Sequence, residues 1–367
     1  MNRNYYLNHS SIDFHFAQSP RDFVVDEIPL YEFSGEGEHL VLHVRKKNLT
    51  TWEMVDIICN TTGCKAKEVG TAGLKDKNAL TTQYISVPAR IEEAIKSFEH
   101  PLIKILSSVR HNNKIRTGHL KGNRFFIRLK KVLPLSALKL DQAIKHISKD
   151  GMPNYFGYQR FGNDGDNYKL GREIVEGKRK EKNKKKARLF VSAYQSHLFN
   201  LWLSRRIEIS RLCSGLSANE VSEVLNLELS LVKRIQKQPH PFKMLPGDLC
   251  MHYPYGKIFY AEDLEEEAKL FSQKDRAPTG LLPGKKVKKS EDIAHTVEKE
   301  FDTPMNEDGT RRYAFVFPEE IDTEYKEDKA WYEMHFTLPK GSYATVLIEE
   351  LAKREIRNYE EGNTIEE

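Results

Sequence analysis

Residues 151–162 read Gly-Met-Pro-Asn-Tyr-Phe-Gly-Tyr-Gln-Arg-Phe-Gly, and three glycines with a proline in so short a run leave no room for a regular helix or a central strand. The chain has 367 residues, more than the ~100–200 of one usual domain, so this break is read as the boundary between two lobes that can each bury a core. Before it, period-two segments at residues 23–27, 40–45, 82–87, 102–107 and 124–129 predict strands. A helix is predicted to open at Thr50, which has capping-box spacing to Glu53; Val55, Ile58 and Cys59 share its apolar face and Gly63 ends it. Another from Ser136 turns Leu140, Ile144 and Ile147 inward. Beyond the break the pattern is helical, with Phe190, Tyr194, Leu198 and Leu201 on one core-facing stripe and Ser217 and Glu220 capping a further helix. Strand patterns return at residues 312–317 and 332–338, and a helix at 342–354 follows the turn Pro339-Lys340-Gly341. This tail is expected to rejoin the first lobe, making the helical middle an insertion in a sheet-containing α/β domain.

Composition narrows the functional classes. No apolar run approaches the ~18 residues of a membrane span, and Met1-Asn2-Arg3-Asn4-Tyr5 lacks the apolar core of a secretory signal, so a cytoplasmic protein without a membrane partner is expected, by default a monomer. Cys59, Cys64, Cys213 and Cys250 contain no Cys-x-x-Cys pair, which argues for reduced, buried thiols rather than a zinc ribbon. His39 and His43 have helical metal-ligand spacing but sit in an alternating segment, where a strand is the better reading. The net charge of +5 is too mild to identify a polyanion binder. Its distribution says more: residues 178–188 hold eight basic side chains against Glu181 alone, and Lys285, Lys286, Lys288 and Lys289 form a second cluster. Each run by itself reads as a solvated loop; together they suggest a basic face.

The stretch with most chemical content is Gly70-Thr71-Ala72-Gly73-Leu74-Lys75-Asp76-Lys77-Asn78-Ala79-Leu80-Thr81-Thr82-Gln83, a glycine-bearing loop with a carboxylate between two lysines before a strand. Flanking positive charge favours ionised Asp76, as a nucleophile or base requires, although an exposed surface loop has the same pattern.

Residues 72–77 followed by Thr81 and Thr82 resemble the signature of the tRNA pseudouridine synthase D (TruD) family. Further motifs follow in the family's order: Pro20-Arg21-Asp22-Phe23-Val24-Val25, Leu120-Lys121-Gly122-Asn123-Arg124-Phe125, residues 153–162, Ala277-Pro278-Thr279-Gly280, and residues 336–345. The resemblance covers nearly the whole chain. It implies an α/β (α+β) pseudouridine-synthase-like catalytic domain with a mixed or antiparallel sheet, formed by residues 1–150 and 305–367 and split by a mostly helical family-specific insertion at 151–304. It also implies isomerisation of uridine in transfer RNA, at position 13, with Asp76 as catalytic nucleophile and Phe23, Asn123, Phe125 and Phe336 contacting substrate.

Isomerising uridine breaks the bond from C1′ to N1, turns the base and joins C5 to C1′, with no redox or energy input, so no cofactor is expected, and no Walker-type loop or clear dinucleotide fingerprint is found. A carboxylate serves by attacking C1′ or by removing a C2′ proton, and sequence does not choose between these. Either route needs a nucleotide taken out of its stack. Phenylalanines in strands are ordinarily core and Asn123 beside Gly122 an ordinary turn residue; the motif matches favour substrate roles instead. Relatives commonly carry a lysine where this chain has Ala17, so the partner of Asp76 is open among His15, Arg21, Lys75 and Lys77. Lys178, Arg179, Lys184, Lys185 and Lys186 are the candidate contacts to RNA phosphates, and structured RNAs other than transfer RNA also fit such a face. The rivals are a non-catalytic RNA-binding protein or chaperone of the same fold and, last, an RNA methyltransferase, for which no methyl-donor loop is evident.

Overall fold

The computed structural model describes residues 3–162 and 164–356. They form two compact units: Ile12–Asp141 with Pro318–Gly341, and residues 3–11 with the described residues of 142–317 and 342–356. The first of these is built on an eight-stranded mixed sheet. Its strands β1 (Phe23–Pro29), β2 (His39–Lys47), β3 (Gly70–Thr71), β4 (Leu80–Pro88), β5 (Ile103–His111) and β6 (Leu120–Leu129) are joined by a hairpin of Glu319–Lys326 and Trp331–Pro339. The order runs from Glu319–Lys326 through Trp331–Pro339, β6, β1, β4 and β2 to β5, with β3 pairing on β4. Only β1 and β4 pair in parallel; every other pairing is antiparallel.

Helix α1 (Thr51–Thr62) forms as its sequence dictates. Thr50 and Glu53 make the reciprocal capping box, and Gly63 ends the helix at φ 72°, where only glycine pays no Cβ penalty. Met54, Val55, Ile58 and Cys59 pack beneath the sheet against Leu40, Leu42, Val44, Ile85 and Val87, one face of β2 and β4. Burying side chains of this size contributes about 1.5–3 kcal/mol each before chain entropy is set against it. Near the strand end Gly122 meets Leu338 so closely that a Cβ there would lie 2.3 Å from the Leu338 carbonyl oxygen, so the central motif needs glycine at that point.

The other unit is mostly helical, around the helix Lys184–Gly215 and a four-stranded antiparallel sheet ordered Thr310–Tyr313, Arg276–Leu282, Leu249–His252, Ile258–Tyr260. Gly280 of the Ala277-Pro278-Thr279-Gly280 motif lets Trp202 of the long helix approach the sheet, since a Cβ would lie 2.2 Å from the indole. Arg206 on the same helix forms a buried two-pronged pair with Asp248, at 2.6 and 2.7 Å.

These divisions depart from the expected boundaries at 151 and 304, both of which fall inside the helical unit. Gly151 bends the chain at φ 77°, and Met152–Pro153 then pairs with Phe315–Val316 within that unit, so the glycine-rich run is packed structure rather than a divider. The tail also divides. Pro318–Gly341 completes the large sheet, whereas the helix Ala344–Ala352 belongs to the helical unit, tied there by Glu350, which accepts from the Leu7 amide at 2.7 Å. The strand pattern at 312–317 proves to be two short strands in different sheets.

All four cysteines are free and buried. His43 stacks on Tyr84 with ring centroids 4.3 Å apart, and among the described residues no group of three His, Cys, Asp or Glu is placed to hold a metal ion. No described helix is long and apolar enough to cross a membrane.

Candidate active site

The loop between β3 and β4 carries Asp76 and is pinned on both sides of it. Thr51, the first residue of α1, accepts from the Lys75 amide at 2.9 Å and donates to Gln83 on β4 at 3.0 Å. The Lys75 ammonium forms a buried ion pair with Glu27 of β1, whose other oxygen accepts from the Tyr84 amide at 3.1 Å. Lys46, near the end of β2, donates from Nζ to the Asp76 main-chain carbonyl at 2.9 Å and to that of Leu49 at 2.5 Å. Upstream, the Gly118 amide donates to Ala72 at 2.7 Å. Gly70 lies so close to Ile115 that no side chain fits, a Cβ falling 2.1 Å from its carbonyl oxygen.

The Asp76 side chain is only half-buried, and among the described residues its carboxylate makes no hydrogen bond or ion pair of its own. Burial pushes its pKa above the usual carboxylate value, against the opposing pull of Lys46 and then Lys75. The sequence reading, in which flanking lysines favour the ionised form, is thus corrected in its balance: desolvation outweighs both cations. A poorly solvated, unpartnered carboxylate is more basic and more nucleophilic than one in water.

Strand register brings the four expected substrate residues onto one face of the sheet. In the pairing of β1 with β6, Glu27 lies opposite Asn123, Val25 opposite Phe125 and Phe23 opposite Ile127. In the pairing of β6 with Trp331–Pro339, Phe125 lies opposite Phe336 and Asn123 opposite Leu338. The rings touch: Phe125 and Phe336 stack with centroids 5.4 Å apart, and Phe23 and Phe125 are tilted at 6.2 Å. Phe23, Phe125 and Phe336 are only 1%, 6% and 1% exposed, so in this state none offers a bare stacking face to solvent. Asn123 differs. Its side-chain oxygen is buried yet has no hydrogen-bond partner, as do the Thr81 and Thr82 hydroxyl oxygens and the Gln83 amide nitrogen on β4. Such orphaned groups are costly and rare unless something else completes them. Lys75, the neighbour of Asp76, reaches this face through its partner Glu27, which stands directly across from Asn123.

Of the candidate partners for Asp76, Lys75 is committed to Glu27 and Lys77 to exposed Glu53 at 3.0 Å. His15 exchanges main-chain hydrogen bonds with Lys130, and Arg21 uses its carbonyl to accept from Arg128. Neither His15 nor Arg21 is among the charges that act on Asp76. The residue that sequence reasoning missed is Lys46. The signal was present: Leu40, Leu42, Val44 and Lys46 share strand parity, so a lysine stood on an inward-facing row.

Lys46 also lines a cleft of about 670 Å³ with Arg45, Lys47, Lys96 and Lys104, against Glu99 as its one carboxylate. The basic residues 178–188 belong to the helical unit. Lys178 pairs with Glu176 at 2.6 Å and Arg179 with Glu173 at 3.7 Å. Lys184, Lys185 and Lys186 are exposed, and they form the first turn of the long helix rather than a loop, capped by Asn183. Three cations at a helix N-terminus oppose its dipole, an arrangement that helix stability alone does not favour.

The family model for tRNA pseudouridine synthase D (TruD) matches residues 1–185 and 221–351. A protein of a Nitratiruptor species named tRNA pseudouridine synthase D is 58% identical over 358 residues, covering 97% of this chain and 99% of the relative. One of the same name from Wolinella succinogenes is 56% identical over 359 residues, covering 97% and 99%. A crystal structure from Methanosarcina mazei described by the same family name superposes with a TM-score of 0.69 over 96% of this chain and 97% of that one, and at 21% identity it speaks for the fold alone. Carrying the motifs in order and the sheet that holds them, this chain belongs to the tRNA pseudouridine synthase D family.

Proposed function

We propose that this chain is an isomerase that converts a uridine of transfer RNA to pseudouridine, with the unit Ile12–Asp141 and Pro318–Gly341 as its catalytic domain and Asp76 as its reacting group. The observation that carries the assignment is a half-buried carboxylate with no partner, on a loop held by Thr51, Glu27 and Lys46. A loop clamped at three points presents its side chain without having to order it during the reaction.

The target nucleotide leaves its stack so that its ribose meets Asp76, because a stacked and paired base hides C1′ and C2′. Asp76 then attacks C1′ or takes the C2′ proton; in both cases the bond from C1′ to N1 breaks and its electron pair stays on the base. The base turns and C5 bonds to C1′, either displacing the Asp76 carboxylate as its bond to C1′ breaks or adding to the glycal as Asp76 returns the proton to C2′. Loss of the C5 proton to a base and its return to N1 as a proton completes an isomerisation that changes no atom count. Asn123 is the reader of the base: its unpaired acceptor oxygen suits an imide N–H of uracil. Phe23, Phe125 and Phe336 form the apolar wall behind it, buried until substrate enters.

Affinity comes from phosphate contacts. The cleft of Arg45, Lys47 and Lys104 in the catalytic unit and the lysines 184–186 in the helical unit are the cationic surfaces that supply it. RNA binding without chemistry is the weaker reading, because it leaves a poorly solvated, unpaired carboxylate without use. The purified chain, incubated with unmodified transfer RNA and no added cofactor, is expected to yield one pseudouridine, at position 13, by chemical mapping. RNA binding with no pseudouridine would favour the chaperone reading, and a methylated product the methyltransferase.

A further inference from the structure

Lys46 is the most deeply buried ammonium in the catalytic unit, at 0% exposure, and it lacks what buried cations ordinarily have. Among the described residues no carboxylate lies within ion-pair distance of its nitrogen; two main-chain carbonyls, of Leu49 and Asp76, hold it. Burying an ammonium without a carboxylate is expensive, and the rest of its row, Leu40, Leu42 and Val44, shows that the position accepts an apolar side chain. The charged groups acting on it are Asp76 and Glu53, which favour its protonated form, and Lys75, which opposes it. Glu53 is already occupied by Lys77 and by the Thr50 cap, and Lys75 by Glu27. The carboxylate of Asp76 is therefore the unsatisfied charge in reach of Lys46, on the residue whose carbonyl it already grips.

We propose that Lys46 is a positioning residue for the reaction: its ammonium fixes the main chain of Asp76 and supplies the positive field that keeps the carboxylate ionised in a poorly solvated site. The inference rests on the assignment of Asp76 as the reacting group. Neutral lysine keeps the aliphatic stem but loses the field and most of the grip, so deprotonation separates charge from packing. Burial brings the Lys46 pKa down to about 8, within reach of an ordinary pH series.

The test measures single-turnover pseudouridine formation in transfer RNA by the full chain from pH 6 to 9.5, for wild type, Lys46→Met and Lys46→Arg, with RNA affinity measured in parallel. The wild-type rate is expected to fall as pH rises through about 8. Lys46→Met, which keeps the stem, is expected to lose more than tenfold in rate at pH 7 with RNA affinity unchanged and no fall near pH 8. Lys46→Arg, whose charge does not titrate in this range, is expected to recover most of the rate and to hold it to pH 9.5. Wild-type rate and profile in Lys46→Met overturn the inference, as does a folded Lys46→Arg no faster than Lys46→Met. Should neither variant fold, the wild-type profile decides: a flat rate from pH 7 to 9.5 overturns it and a fall near pH 8 supports it. Asp76→Asn runs alongside. Turnover by that variant overturns the catalytic assignment itself, whereas a dead Asp76→Asn beside a fully active Lys46→Met overturns only the role of Lys46.

Discussion

Replacing Glu27 by alanine is expected to be among the most damaging single changes in the catalytic unit. The Glu27 and Lys75 side chains are 1% and 5% exposed and pair directly. Removing the carboxylate leaves a buried ammonium uncompensated, at a cost of about 3–5 kcal/mol. It also orphans the Tyr84 amide, which the other carboxylate oxygen accepts at 3.1 Å, for about 1–3 kcal/mol more. Relaxation and water entry recover part of this, so a net loss of about 4 kcal/mol is the working value. The paired change Glu27→Gln with Lys75→Met keeps an acceptor for Tyr84 and buries no charge, and it is expected to fall within about 1.5 kcal/mol of wild type. Since the two units need not unfold together, native-state hydrogen exchange at amides of β1 and β4, read beside urea unfolding, reports this unit separately. A loss below about 1 kcal/mol for Glu27→Ala, or a paired variant as unstable as the single one, would refute the claim that this buried pair clamps the loop.

Other expectations follow from the same geometry. Asn123→Ala removes an unpaired buried oxygen, so stability is expected to hold or rise while turnover falls about 10- to 100-fold, the loss of one well-placed hydrogen bond of ~1–3 kcal/mol; equal activity would remove Asn123 from the site. Lys184→Glu, Lys185→Glu and Lys186→Glu together are expected to weaken RNA binding and to flatten its dependence on log salt by about 0.9 for each phosphate no longer held; an unchanged slope would make the run a solvated helix start. The two titrating groups of the site move stability in a defined sense. The folded pKa of Asp76 is raised, so the folded state holds its proton more tightly and this group's contribution falls as pH rises through the carboxylate range. The folded pKa of Lys46 is lowered from 10.5 to about 8, so between those values the unfolded state binds more protons and stability rises with pH. Calorimetry from pH 8 to 10 is therefore expected to show Lys46→Met losing that rise, opposite in direction to the fall in rate.

Much of this fold is legible where one local signal dominates. The Thr50–Glu53 box and Gly63 bound α1 on the page as in the structure, and alternation locates β1, β2, β4, β5 and β6. What sequence did not disclose depends on partners remote in the chain. Glu319–Lys326 carries four acidic residues in eight, a poor strand by propensity, and is a strand because it pairs with Trp331–Pro339 at the sheet edge, where charge is tolerated. The fate of the last helix turns on Glu350 meeting the Leu7 amide, a contact across nearly the whole chain. At the site, the motifs point to Asp76, Phe23, Asn123, Phe125 and Phe336, and register explains why the last four share a face. The pairing of Lys75 with Glu27 and the place of Lys46 lay hidden because they depend on which side chain fills a three-dimensional vacancy, and the sign of the Asp76 shift because desolvation has no counterpart in sequence neighbours.

The central claim meets its most direct measurement in single-turnover reaction of wild type and Asp76→Asn with unmodified transfer RNA, followed by quantitative pseudouridine mapping and by RNA affinity. Wild type is expected to convert one uridine per molecule without a cofactor, and Asp76→Asn to bind RNA equally well while leaving that uridine intact. Pseudouridine formed by Asp76→Asn at more than about a thousandth of the wild-type rate, a barrier difference under ~4 kcal/mol, would contradict the account.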